Sequence, residues 1–277
     1  MTTQVKMVDV AEARKFLDAN RPSQRTLLDV RQDFEYAEGH LPGATHIPLP
    51  ELPDRLGELD ASKPVLAYCH AGMRSLAAAN LLAGQGFETL SMNGGISAWE
   101  GAQAVGPADL GLAALLAAST VEDALSRAWG MELALEGFYS ALAERAAEPN
   151  VADLFRRFAG LEQRHRAVLV ELYTRQPGQT AASVAVFEAK GRAVVAPGVL
   201  EGGVTAADYL GQLGDPEDTG EALELAMAIE AQAMDLYLRR AAGEADEALR
   251  KMFTLLAEEE RAHLKVLGGF VDVRGRL

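Results

Sequence analysis

The chain has 277 residues, 49% of them hydrophobic and 24% charged, which is typical of a globular protein long enough for two domains with buried cores. A formal net charge of -14 argues against nucleic acid as a partner, because phosphate binding requires a basic surface. The single cysteine excludes an intrachain disulfide and fits a reducing compartment. With no long apolar run and no signal-peptide core, the sequence predicts a cytoplasmic protein that spans no membrane.

Residues 1–103 predict an α/β domain. Apolar runs at 26–30 and 64–68 are bounded by turn residues and indicate buried strands. Residues 75–84 indicate a helix, and residues 86–90 indicate a further short strand. Strands that alternate with helices favour a mainly parallel sheet.

The only cysteine, Cys69, lies in a loop between a predicted strand and a predicted helix. Such a loop can point several backbone N–H groups at one anion, and the dipole of the following helix favours thiolate over thiol. Arg74 adds a positively charged fork of donors for a sulfonate-like or persulfide group. A buried structural cysteine at a strand end is the alternative interpretation. The sequence predicts Cys69 as a catalytic nucleophile, with substrate contacts from the residues that follow it: His70, Ala71, Gly72, Met73, Arg74 and Ser75.

Four motifs occur in a fixed order in this region. They are LLDVR at 27–31, EGHLPGA at 38–44, CHAGMRS at 69–75 and NGGISAW at 93–99. With these motifs, residues 5–101 resemble a single-domain rhodanese. The resemblance implies a sulfurtransferase that takes sulfane sulfur from thiosulfate or a persulfide, holds it on Cys69 as a persulfide, and passes it to a thiol acceptor or cyanide. Four residues separate Cys69 from Arg74, whereas related phosphatases have five, so the spacing favours sulfur over phosphate.

Several polar residues in or near the motifs have structural interpretations. Asp29 and Arg31 are predicted to tie a strand end to neighbouring loops. His40 and His46 are predicted to satisfy local hydrogen bonds rather than to catalyse. His70 lies in the cysteine loop, where it either takes part in binding or points to solvent.

Residues 120–277 predict an all-α domain that follows a linker at 104–119. Thr120 with Asp123 indicates a capping box that opens a helix running to about residue 147, Pro149 and Asn150 break that helix, and a second helix covers 151–174. Three prolines and a glycine pair predict a long connection with little regular structure at 176–216. Two more helices are predicted at 217–242 and 244–267. Two hairpins joined by a long crossover form a ferritin-like four-helix bundle.

Six residues of this domain recur in pairs at an offset of 98 positions. The pairs are Glu132 and Glu230, Glu162 and Glu260, and His165 and His263. A Glu followed on the next helix by Glu-x-x-His, given twice, predicts the ligands of two metal ions, because residues three apart share one helix face. Carboxylate and imidazole donors suit iron or manganese, and four buried carboxylates without metal would be costly. The alternative is surface decoration of an acidic helical protein.

In this pattern, residues of about 120–270 resemble the rubrerythrin and ferritin-like diiron family. The resemblance implies two iron ions, with manganese or zinc as alternatives, and a homodimer. It assigns Glu162 and Glu260 as bridging ligands. The other four of the six residues then become terminal ligands. Two features of the family are missing from this sequence: an additional Glu near the third-helix ligand, where Met227 and Ala233 stand, and an iron site of four cysteines.

The sequence therefore favours a sulfurtransferase fused to a diiron domain and acting in sulfur and redox metabolism. Two other functions stay open. In one, the metal site senses oxidant or iron status and modulates sulfur transfer without turning over. In the other, the bundle stores iron. Catalytic oxidase turnover, as opposed to stoichiometric oxidation, separates the enzyme from the sensor.

Overall fold

A computed structural model describes residues 5–110, 112, 115, 118–196, 198–213 and 218–274. The chain divides into two compact units, Met1–Ala108 and Asp109–Leu277, called here the N-terminal and the C-terminal unit. The predicted linker at 104–119 spans this boundary, and its residues 111, 113, 114, 116 and 117 lie outside the described ones. Ala104 still belongs to the N-terminal unit, because its backbone exchanges two hydrogen bonds with His40 at 2.8 and 2.9 Å.

The N-terminal unit is built on a five-stranded sheet in the order β1-β5-β4-β2-β3. The strands are β1 (Lys6–Val8), β2 (Thr26–Asp29), β3 (Thr45–His46), β4 (Val65–Tyr68) and β5 (Thr89–Met92), and every pairing is parallel. The predicted α/β fold is thereby confirmed. The strand predicted at 86–90 begins later, at Thr89. Gly86 has a positive φ and Phe87 donates a backbone hydrogen bond to Leu82, so these residues close the preceding helix instead.

Three helices accompany the sheet: α1 (Val10–Ala19), α2 (Asp33–Glu38) and α3 (Met73–Gly84). Side chains of β4 alternate between two hydrophobic clusters because successive strand residues point to opposite faces. Leu66 and Tyr68 enter one cluster, whereas Val65 and Ala67 enter the other. Cys69 continues the second series and therefore lies on the sheet face that α3 covers.

The C-terminal unit is helical. It contains α4 (Val121–Arg145), α5 (Pro149–Thr174), α6 (Val184–Val194), α7 (Ala206–Leu213), α8 (Thr219–Ala242) and α9 (Glu247–Arg274). The predicted ferritin-like helical domain is confirmed, with α4–α5 and α8–α9 as its two hairpins. Glu217, the predicted start of the third helix, lies outside the described residues, and the fourth helix covers 247–274 rather than 244–267.

Two details at the helix starts differ from the predictions. Thr120 Oγ1 accepts a 3.1 Å hydrogen bond from Asp123 N, as a cap should, but the Asp123 carboxylate accepts from Ser119 and does not complete the box with Thr120. Pro149 does not act as a breaker. It occupies the first turn of α5, where its missing N–H would have had no partner in the helix.

The prediction of little regular structure at 176–216 is wrong, because α6 and α7 lie there. Phe187 of α6 is fully buried and stacks on Tyr173 with ring centroids 4.3 Å apart. Gly191 lets α6 approach α4 closely, since a Cβ at this position would lie 2.7 Å from the Ser126 carbonyl oxygen. Gly191 and Gly211 lie inside the two helices. Pro177 and the other described glycines of this stretch lie outside them, so they delimit short helices rather than prevent them. Within the described ranges, no helix is long and apolar enough to cross a membrane.

Candidate functional site

Cys69 lies at the end of β4, in a short loop that leads into α3. Its residue is only 1% exposed, and the Gly72 backbone N–H donates to its Sγ at 3.1 Å. Gly72 has φ of 102°, a left-handed conformation that a side chain would strain. This conformation turns the chain back toward the sulfur before the helix begins.

The loop also stabilises the charged form of the cysteine. Burial raises the pKa of the Cys69 thiol, but hydrogen bonds from the backbone and hydroxyl of Ser75 and from the backbone of Gly72 and Ala71 outweigh burial and lower that pKa below its ordinary value of 9.0. Ser75 is itself buried, and its hydroxyl lies 3.0 Å from both the Gly72 carbonyl oxygen and the Ser91 Oγ. The loop can therefore present a thiolate inside a ring of donors.

A second turn, formed by residues 93–97, is hydrogen-bonded to the cysteine loop. Ile96 N donates to the Cys69 carbonyl oxygen at 2.8 Å, and Ser97 N donates to the His70 carbonyl oxygen at 3.1 Å. Gly95, with φ of 60°, lies so close that a Cβ there would collide with the same two carbonyl oxygens. Because the carbonyl oxygens of Cys69 and His70 accept hydrogen bonds from this second turn, the N–H groups of the cysteine loop stay directed toward the sulfur.

Arg74 is placed beside the cysteine but is bound to a carboxylate. Its two terminal nitrogens donate to the two oxygens of Glu35, each at 2.6 Å, and the Arg74 hydrogen bond is the main reason that the pKa of Glu35 falls to about 2. Glu35 was not predicted as a site residue. It lies 39 positions before Arg74, on α2, and nothing in its spacing distinguishes it from the neighbouring acidic residues.

The remaining predicted substrate residues are exposed. His70 and Ala71 face solvent, and Met73 is 78% exposed. Of the residues at 70–75, the structure thus brings only Gly72, Arg74 and Ser75 inward. That His70, Ala71 and Met73 contribute to substrate binding remains a prediction. Among them, Ala71 contacts Cys69 through its backbone N–H.

The polar residues in and just after the first two motifs form a largely buried network, in agreement with their structural interpretation. The Arg31 guanidinium bonds Asp29 at 2.6 Å and donates to the carbonyl oxygens of Glu35 and Gly39 at 2.9 and 2.7 Å. His40 Nδ1 lies 2.9 Å from the Tyr36 carbonyl oxygen, and His46 Nε2 lies 2.9 Å from the Arg31 carbonyl oxygen. The network fixes α2, and with it Glu35, against the end of β2.

In the C-terminal unit, the six predicted ligands form two groups that could each hold a metal ion. One group is Glu132, Glu162 and His165, and the other is Glu230, Glu260 and His263. Within each group, one donor atom of every member lies within 4.8 Å of the others. The four carboxylates are at most 4% exposed. Each group combines one helix hairpin, with the first Glu on α4 or α8 and the Glu-x-x-His on α5 or α9.

The two groups adjoin one another. The imidazole rings of His165 and His263 stack with centroids 3.5 Å apart and planes inclined by 3°. His165 Nδ1 lies 2.8 Å from Glu162 Oε2, and His263 Nδ1 lies 2.9 Å from Glu260 Oε2. Burial raises the pKa of Glu230, but its hydrogen bonds with His263 and Glu260 outweigh burial and lower it. A buried cluster of carboxylate oxygens and imidazole nitrogens matches the donor chemistry of iron and manganese, so these residues fit a dinuclear centre.

A small pocket that is partly open to solvent adjoins the cluster. Besides ligand residues, it is lined by four hydrophobic side chains and one carboxylate: Val168, Leu169, Leu172, Leu256 and Glu259. Only a very small molecule can therefore come close to the ligands through this pocket. The crossover packs on α8, because the backbone at Gly202 lies against Ala233, one of the two positions where the family's additional Glu is missing.

Comparisons with known proteins assign both units. Residues 9–102 match the family model of the rhodanese-like domain, and residues 123–207 match the family model of rubrerythrin. The second matched segment includes Glu132, Glu162 and His165 and ends before α8. "Putative sulfurtransferase YtwF" of Bacillus subtilis (strain 168) is 37% identical over 98 residues, which cover 35% of this chain and 93% of that protein. "Thiosulfate sulfurtransferase GlpE" of Pseudoalteromonas translucida (strain TAC 125) is 33% identical over 98 residues, covering 35% and 90%.

Among solved structures, a rhodanese-like domain protein from Staphylococcus aureus is 29% identical, with a TM-score of 0.32 over 34% of this chain and 91% of that one. The matched relatives therefore cover about a third of the chain, and the rubrerythrin family model covers a further segment. The chain belongs to the rhodanese-like family through its N-terminal unit, and it carries a rubrerythrin domain after it.

Proposed function

We propose that the N-terminal unit is a sulfurtransferase that carries sulfane sulfur on Cys69. The observation that carries this proposal is a nearly inaccessible cysteine with a lowered pKa inside a ring of hydrogen-bond donors. The names of relatives such as "Thiosulfate sulfurtransferase GlpE" support transfer of sulfane sulfur in general. The single thiol also suits a reducing cytoplasm, where it stays available for transfer.

The reaction has two displacement steps. The Cys69 thiolate attacks the outer sulfur of the donor, the sulfur–sulfur bond of the donor breaks, and sulfite leaves when the donor is thiosulfate. The persulfide on Cys69 keeps the negative charge of the thiolate, which the N–H groups of Gly72, Ala71 and Ser75 stabilise. A thiolate acceptor then attacks the outer sulfur, takes it as its own persulfide, and returns the Cys69 thiolate.

Replacement of the sulfur carrier tests this proposal. Cys69→Ser should abolish sulfur transfer from thiosulfate and from a persulfide, because the chain has no other cysteine. Mass spectrometry should find one added sulfur atom on the wild type after incubation with the donor and none on the variant. Ser62→Ala, an exposed change in the turn that precedes β4, serves as the control. Transfer that persists in Cys69→Ser would reject the assignment.

For the C-terminal unit, we propose a dinuclear metal site with iron as the metal, held by Glu132, Glu162, His165, Glu230, Glu260 and His263. Two groups of buried carboxylate and imidazole donors in contact through their histidines support this ligand set. Two iron ions, when bound there, would supply one-electron redox chemistry. The six residues would hold the ions and shield them from bulk water, and a small pocket lies beside them.

Metal content tests the ligand set. The wild type should bind about two ions per chain, as a dinuclear carboxylate site does, and Glu162→Ala should lose most of the metal. Glu171→Ala is a matched control on the same helix, because Glu171 is exposed and its ion pair with Arg175 lies at the surface. Elemental analysis that finds no iron, manganese or zinc in the wild type after metal-supplemented expression would contradict the site, as would equal losses in both variants.

The pocket beside the ligands supports access by a small oxidant, which both a redox enzyme and a redox sensor require. Repeated additions of oxygen or peroxide in the presence of a reductant distinguish the two functions. Consumption of many equivalents per metal site indicates an enzyme. Consumption of about one equivalent, together with a changed rate of sulfur transfer, indicates a sensor.

A further inference from the structure

The positive charge beside Cys69 is shared between two anions. Arg74 donates two hydrogen bonds of 2.6 Å to Glu35, a bidentate pair of the strong, charge-assisted kind. The pKa of Arg74 is raised chiefly by its hydrogen bond to Glu35 and to a smaller extent by Cys69. The guanidinium therefore does not serve the sulfur or its donor alone.

The consequence for a donor follows from charge. Glu35 and Arg74 together are neutral, so a Cys69 thiolate leaves this group of three with one net negative charge. Coulomb energy is proportional to the charge of the approaching molecule, so a dianion such as thiosulfate is repelled twice as strongly as a monoanion. Without the charge of Glu35, Arg74 and the thiolate together would be neutral, and this repulsion of the dianion would disappear.

An exposed hydrophobic side chain directly precedes each member of this ion pair in sequence. Phe34 directly precedes Glu35 and is 65% exposed, and Met73 directly precedes Arg74 and is 78% exposed. The ion pair brings the first turns of α2 and α3 together, and each turn carries one of these two side chains. Thiosulfate has no hydrocarbon surface to bury here, whereas the organic group of a persulfide does.

We propose that Glu35 determines the donor selectivity of Cys69 by occupying Arg74, and that the donor is an organic persulfide rather than thiosulfate. This inference rests on the sulfur-transfer function proposed above and names its substrate class. In the first step, the Cys69 thiolate attacks the outer sulfur of the persulfide and the organic thiolate leaves. One sulfur–sulfur bond forms as another breaks, and the total charge is unchanged. Glu35 is a positioning residue in this step, because it acts through Arg74.

The test compares two donors with cyanide as a common acceptor. The kcat/KM values for thiosulfate and for benzyl persulfide are measured for the wild type, Glu35→Gln and Glu38→Gln. The amide of Glu35→Gln keeps one acceptor for Arg74 while removing the charge. Glu38 lies on the same short helix, is exposed, and has the same charge, so Glu38→Gln is the matched control.

We expect the wild type to prefer benzyl persulfide. Glu35→Gln should raise kcat/KM for thiosulfate about tenfold, through a lower KM, but for the singly charged persulfide only about threefold, because the Coulomb energy scales with donor charge. Glu38→Gln should change neither value. The double variant Phe34→Ser with Met73→Ser should lower kcat/KM for benzyl persulfide several-fold and that for thiosulfate by a smaller factor.

Three results would overturn the inference: a wild type that prefers thiosulfate, a Glu35→Gln variant with unchanged or reduced kcat/KM for thiosulfate, or equal effects of Glu35→Gln and Glu38→Gln. If Glu35→Gln does not fold, the inference is tested by the donor preferences of the wild type and of the double variant Phe34→Ser with Met73→Ser. Failure of the proposed function is a different outcome, since neither donor would then leave sulfur on Cys69.

Discussion

Four donors decide the ionisation of Cys69, and Ser75 supplies two of them through its backbone and its hydroxyl. Because the pKa of the thiol is lowered, the thiolate should be present at pH values below the ordinary 9.0. The alkylation rate of the wild type with iodoacetamide should therefore rise with its midpoint below that pH. Ser75→Ala removes the hydroxyl only, so its midpoint should move upward, and alkylation at pH 7 should slow several-fold.

High pH provides the control for this prediction. Well above both midpoints, each protein is fully ionised at Cys69, so the alkylation rates of the wild type and Ser75→Ala should converge. A constant ratio of rates at every pH would contradict the prediction, because it would mean that the hydroxyl governs access to the sulfur rather than its ionisation.

At the scale of residues, the sequence predicted the site unevenly. Cys69 could be selected because no other cysteine exists, and the six metal ligands because their offset repeats three times. Glu35 could not. Its effect depends on a contact between α2 and α3, which are far apart in sequence, and an acidic residue on a short helix is ordinarily a solvated one. The role of Arg74 was consequently predicted without the carboxylate that neutralises it.

At the scale of elements, the cysteine loop depends on the turn at 93–97. Gly95→Ala would place a Cβ against the carbonyl oxygens of Cys69 and His70 in a backbone conformation that favours glycine. We expect a loss of roughly 1–3 kcal/mol in the free energy of unfolding of the N-terminal unit, as for other strained backbone positions. Sulfur transfer should fall as well, because the N–H groups of the loop lose their orientation.

Gly57→Ala is the matched control for this change. A Cβ added at Gly57 would meet no other atom within 4 Å, and the residue has no positive φ. Its replacement should therefore alter the free energy of unfolding by less than about 0.5 kcal/mol, as surface substitutions do. Chemical denaturation of both variants measures the difference. Equal stability of Gly95→Ala and Gly57→Ala would show that the turn does not constrain the loop.

The helices of the C-terminal unit show what local sequence signals can and cannot predict. The long amphipathic helices are predictable because their apolar residues recur over many turns. The helices within 176–216 are not, because the prolines and glycines of this stretch disfavour helix locally. α6 forms there because Phe187 and Gly191 pack on α4 and α5. This is a tertiary contact between separate helices, which a local sequence pattern does not reveal.

At the scale of the whole molecule, each unit has its own hydrophobic clusters. Those of the N-terminal unit surround the parallel sheet, and those of the C-terminal unit join the helices. The two sets share no residue. Loss of one core therefore leaves the contacts within the other in place. This arrangement predicts two separate unfolding transitions.

Metal should shift only the transition of the C-terminal unit. A ligand that binds the folded state alone stabilises it by about 2.7 kcal/mol when its free concentration is 100 times Kd, which corresponds to a rise in Tm of roughly 5–10 °C for a unit of this size. Scanning calorimetry of the intact chain with ferrous iron and after chelation measures this shift. Glu162→Ala should lose most of it, whereas Cys69→Ser should retain it. One transition, or an equal shift of both, would show that the two units do not unfold independently.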